Sequence, residues 1–62
     1  MYTDAERLDW VLLHRAANYD HEWQTGEHWI TFRLNGEKFF VSGRSFRECI
    51  DNALAGNHTV ID

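Results

Sequence analysis

The sequence predicts an α+β domain in the order helix, β-hairpin, helix (αββα), with both helices packed on one face of a two-stranded antiparallel hairpin. Three observations carry this reading. Capping boxes open two segments, at Thr3 with Glu6 and at Ser45 with Glu48. Asn35-Gly36 separates two runs of alternating residues, the strongest short hairpin signal. Between the capped segments the apolar spacing changes from helical to alternating and back. A chain of 62 residues has room for one domain, 1–62. With 44% hydrophobic residues, 26% charged residues and nine aromatics, it reads as folded, not disordered.

The first helix is expected from Asp4 to about Tyr19, a stretch free of Gly and Pro. At 100° per residue, Ala5, Leu8, Val11, Leu12, Ala16 and Tyr19 share one face, taken as the core face. Trp10, Leu13 and Ala17 form a second apolar stripe about 150° away. Two apolar faces on one helix imply a sandwiched helix, inside the domain or against another chain. Residues 20–28 read as a loop or a ragged first strand.

The hairpin follows. Ile30, Phe32 and Leu34 alternate with Trp29, Thr31 and Arg33, and Lys38-Phe39-Phe40-Val41 forms the return strand. A two-residue loop pairs Leu34 with Glu37, Arg33 with Lys38, Phe32 with Phe39, Thr31 with Phe40 and Ile30 with Val41. One face, Ile30, Phe32, Leu34, Phe39 and Val41, is core; the other carries Trp29, Thr31, Arg33, Lys38, Phe40 and Ser42. Gly43 breaks the strand. Phe46, Cys49, Ile50, Ala53 and Leu54 then share one helical face, and Gly56 stands at the C-cap. The tail from Asn57 to Asp62 is either frayed or an added strand at Thr59-Val60-Ile61. The sheet is thus extended either by this tail or by dimerisation.

Composition narrows the function classes. Six basic against ten acidic residues give a net charge of −4, which argues against a uniformly basic nucleic-acid binder. No apolar run reaches the roughly 18 residues of a membrane span, and no signal peptide is evident at Met1. A single cysteine excludes an internal disulfide and suits a reducing cytoplasm. His14, His21, His28 and His58 lack the helical spacing of a metal pair, so no metal and no cofactor is expected. Cys49 sits among core positions and reads as a small hydrophobe, not a nucleophile. Without a visible base or oxyanion donors, no enzyme is expected.

The surplus apolar surface points to partners. Trp10, Leu13 and Ala17 on the helix, with Trp29 and Phe40 on the hairpin, exceed what one small core takes up, and a chain of this length buries only about 60% of its unfolded surface. Interface centres are enriched in such residues. The expectation is a non-catalytic protein-binding module that self-associates as a homodimer, anchored by these five residues with Arg33 and Lys38 as polar rim. It would serve as a small accessory, regulatory or inhibitory protein of a bacterium or phage. Replacing Trp10 by Ala is then expected to weaken association and leave the fold.

The second expectation is nucleic-acid binding. Residues 28–48 carry Arg33, Lys38, Arg44 and Arg47 against Glu37 and Glu48, the one stretch with a basic excess. Cations interleaved with Trp29 and Phe40 offer charge to phosphates and rings to bases.

The thirteen residues Val41 to Ala53, with their Gly-x-Ser step followed by Glu48, Ile50 and Ala53, are similar to a strand-to-helix segment of HicB-like antitoxins. The likeness implies a strand end leading into a capped amphipathic helix. It implies no activity. With only the two hairpin strands expected, the chain departs from those antitoxin domains, which use a third strand, and it shows no DNA-binding appendage.

Overall fold

The computed structural model describes residues 2–61. Six elements follow one another: α1 (Asp4–Leu13), β1 (Asn18–Glu22), β2 (Glu27–Leu34), β3 (Glu37–Gly43), α2 (Phe46–Leu54) and β4 (Thr59–Val60). The strands form a single antiparallel sheet in the order β1-β2-β3-β4. The class is α+β, as the pattern of elements predicts, but the sheet has four strands in place of two.

The hairpin forms as its turn chemistry requires. Asn35 (φ 53°) and Gly36 (φ 83°) both adopt positive φ, and all five expected cross-strand pairs are present. Two further strands extend it. The stretch 20–28 folds back on itself through Trp23–Gly26, so β1 pairs with β2 from Asn18↔Thr31 to Glu22↔Glu27. On the other edge the tail adds β4, with Phe39↔Val60 and Phe40↔Thr59 in register. Its return depends on how α2 ends. Gly56 (φ 80°) donates to the Ala53 carbonyl at 3.1 Å and Asn57 to that of Asn52 at 2.8 Å, the left-handed ending that turns the chain back toward the sheet.

The first helix is shorter than expected and turned differently. It stops at Leu13 instead of Tyr19, with His14 as C-cap, and Asn18 and Tyr19 join the sheet. No local breaker stands there; pairing with β2 overrides a helix-permitting sequence. Neither of the two apolar stripes is the buried one. Ala5, Leu8, Leu12 and Ala16 are exposed, and Trp10 is the one buried residue of the helix. The face turned inward is Arg7, Trp10, Val11 and His14, at the i, i+3, i+4, i+7 spacing of a helical stripe. Its two polar members have partners. Arg7 donates from Nε (2.6 Å) and Nη2 (3.1 Å) to the Asp51 carboxylate on α2, and the His14 ring bonds the backbone of Arg33.

Both helices lie on the same side of the sheet, the side of Ile30, Phe32 and Val41. Those three join Trp10, Cys49, Ile50 and Ala53 in one core, with Val11, Ala17, Phe39, Phe46 and Leu54 packed around it. Aromatic rings tie the layers together. Trp10 meets Phe32 edge to face at 5.2 Å, His14 lies 4.5 Å from Trp10, and His58 lies 4.6 Å from Phe39. The structure is therefore a two-layer stack with both helices on one face and, among the described residues, no layer on the other.

Candidate interaction surface

The register assigns every strand residue to a face, because side chains alternate and cross-strand partners point the same way. The open face consists of Asn18, Asp20 and Glu22 from β1, Glu27, Trp29, Thr31 and Arg33 from β2, Lys38, Phe40 and Ser42 from β3, and Thr59 from β4. Trp29, Thr31 and Phe40 are half-buried by their neighbours in the sheet and form the middle of the face. The two ends differ in charge. Asp20, Glu22 and Glu27 crowd one end; Arg33 and Lys38 stand at the other.

At the basic end the open face runs into a groove of about 470 Å3 walled by the connection between α1 and β1. Arg15, Arg33, Lys38, His14, Asn18 and Thr31 contribute to it, and among the described residues no carboxylate lines it. Arg15 and Arg33 make no ion pair among the described residues. Burial holds the His14 ring below its usual pKa, opposed by its bond to the Arg33 backbone. At neutral pH the groove is cationic through its two arginines and lysine.

The expected site residues therefore divide. Trp29, Phe40, Arg33 and Lys38 share the open face. Trp10 is only 7% exposed and Ala17 packs against the core, so the helix stripe expected to anchor a partner is dismantled; Leu13 alone stays outside, at 76% exposure. Trp10 offers little surface to a partner, so its replacement is now expected to weaken the fold as well as any association. Arg44 and Arg47 are not brought to the groove either. They lie beyond the far end of β3, six and nine residues from Lys38, and the six to Arg44 alone span roughly 20 Å at the rise of a strand. Arg47 reaches toward Asp4 at 3.8 Å, at the edge of the Asp4–Arg7–Asp51 network that joins the helices.

Sequence reasoning missed three features. Leu8 (58%) and Leu12 (61%) are exposed on α1, because the inward arc includes two polar residues that an apolar count passes over. Arg15 joins the groove only because α1 stops early. The acidic end of the face was hidden in residues 18–22, although Asn18, Asp20 and Glu22 alternate with Tyr19 and His21 as a one-sided strand does.

Cys49 and the His21–His28 pair are engaged locally. The Cys49 thiol is fully buried and donates to the His28 carbonyl at 3.2 Å; burial pushes its pKa up to about 11. His21 and His28 do meet, as a cross-strand pair stacked at 5.5 Å, with Phe46 edge-on to both. No three of the His, Cys, Asp and Glu side chains converge among the described residues. No described helix is long and apolar enough to cross a membrane.

These features define a small two-layer α+β domain with an open, charge-polarised sheet face. The chain matches no family model, no curated protein and no solved structure.

Proposed function

We propose that the protein is a non-catalytic protein-binding module that pairs with a second copy of itself, and that in this form it acts as a small accessory or regulatory protein by occupying a partner. One observation carries the reading: both helices lie on one side of the sheet, leaving Trp29 and Phe40 in the middle of an uncovered face. A bare sheet face with aromatics at its centre and charges at its ends has the anatomy of an interface, an apolar middle inside a polar rim. A chain of this size also gains much of its missing burial by association. Absolute mass by light scattering, over a tenfold range of concentration, tests it. The expected result is a particle near twice 7.4 kDa that dissociates when Phe40 is replaced by Ser. A wild-type protein that stays monomeric throughout overturns self-association.

The groove supports a second reading. Arg15 and Arg33, lining a cavity with no carboxylate among the described residues, suit phosphates, and Trp29 on the adjoining face suits a stacked base. Titration of a labelled single-stranded oligonucleotide at low salt decides it: affinity falling steeply with added salt supports the reading, and no binding removes it.

A further inference from the structure

The charge layout of the open face specifies how two copies meet. We infer that the face is an isologous dimer interface in which the two sheets pack face to face with β2 running antiparallel to β2 of the second copy, so that Arg33 of each copy lies over Glu27 of the other. The inference rests on the self-association proposed above and adds its geometry.

Glu27 and Arg33 are both exposed, point to the same face and stand six residues apart, roughly 20 Å at the rise of a strand. Their neighbours repeat the polarity. Glu22 pairs with Glu27 at one end, while the groove brings Arg15 beside Arg33 at the other. A face with one acidic and one basic end is complementary to itself only when turned end for end. A two-fold axis in the plane of the interface, perpendicular to the strands and passing near Ile30, performs that operation. It lays Arg33 over Glu27 and Arg15 near Glu22, each twice. The other orientation, strands parallel, sets carboxylates on carboxylates and arginines on arginines, which the lack of partners on Arg15 and Arg33 makes costly.

The same axis also settles the packing. It carries the row holding Trp29 and Ser42 onto the row holding Thr31 and Phe40. Trp29 then faces Thr31 of the other copy, and Phe40 faces Ser42: each large ring meets a small residue. That is the alternation two packed sheets need to interdigitate at about 10 Å separation. Charge complementarity also addresses the net −4 of each chain, which otherwise opposes pairing.

Charge exchange is the test, because Arg33 and Glu27 are exposed and neither forms an ion pair among the described residues. The single variants Arg33→Glu and Glu27→Arg, and the double variant R33E/E27R, are measured by light scattering and sedimentation at 50 mM salt, with circular dichroism confirming the fold. Each single variant is expected to weaken dimerisation by about tenfold or more, since both symmetry-related contacts become repulsive. The double variant is expected to recover it, and an equimolar mixture of the two singles is expected to form mixed dimers. Recovery by the double variant is the outcome that a merely structural role for either residue does not produce. A dimeric wild type whose dimer survives both single changes overturns this geometry while leaving self-association standing; loss of the dimer in a Leu8→Lys, Leu12→Lys variant then moves the interface to α1. A monomeric wild type overturns both.

Discussion

The two helices carry apolar residues at similar density, yet one declares its buried face and the other conceals it. In α2, the five residues that share a helical face, Phe46, Cys49, Ile50, Ala53 and Leu54, are the five that meet the core. Nothing apolar lies elsewhere on that helix, so an amphipathic pattern has one solution. In α1, apolar residues lie all round, and the choice falls to Arg7 and His14, two polar residues with partners in the neighbouring layer. A buried polar group is costly without a partner and harmless with one. Where apolar residues are in excess, satisfied polar residues select the face.

Substitutions can break this contrast, and the largest effect is expected at the residue whose role was reversed. Trp10→Ala removes an edge-to-face contact with Phe32 and a buried ring, and is expected to cost about 3–5 kcal/mol in chemical denaturation. A loss below about 1 kcal/mol, in a site as well packed as the others, would mean α1 docks by another face. Next comes Ile50→Ala on α2, expected to cost about 3 kcal/mol by the same measurement. A cost for Ile50 far above that for Trp10 would show α2 to be the sole anchor of the helical layer.

The alkaline limb of stability reports on α2. The folded-state pKa of Cys49 is raised, from an ordinary 9.0 to about 11, so the folded protein holds the thiol proton more tightly than the unfolded chain does. Its contribution is complete below about pH 9 and is lost as the pH rises toward 11. Thermal melts across that range should fall for the wild type and run flatter for Cys49→Ala, after allowing for a lower starting stability. The acid limb reports on the tie between the helices. The Arg7 guanidinium holds the Asp51 carboxyl below its usual range, so this contribution is present above the ordinary carboxylate pKa and is lost as the pH falls through the lowered one. Arg7→Gln should flatten that part of the profile. The smallest effect belongs to Leu12→Lys: at 61% exposure it should change monomer stability by no more than about 0.5 kcal/mol. A large destabilisation there would return α1 to the orientation read from its leucines.

Much of the fold is legible in the sequence. Asn35-Gly36 dictates the turn, the turn dictates the register, and the register places Trp29, Thr31, Arg33, Lys38 and Phe40 on one face. Ser45, with Glu48 donating to its hydroxyl at 3.1 Å, and Gly56 mark both ends of α2. The candidate site was half legible for the same reason: its hairpin half is local, and its other half is not. Asp20 and Glu22 join the face only through pairing with residues nine and five positions away, and Arg15 only through the early end of α1.

By itself, then, the sequence determined the class, the hairpin with its register, the second helix with its core stripe, and which hairpin residues look away from the core. These follow from interactions spanning a few residues, where turn, cap and period leave one low-energy choice. Tertiary structure decided where α1 stops, which side of it is buried, whether residues 18–22 and 59–60 become strands, and that one sheet face stays bare. Each of those depends on what lies across a layer or along a sheet edge. There, pairing of backbone groups and partners for Arg7 and His14 outweigh local preferences that were nearly balanced.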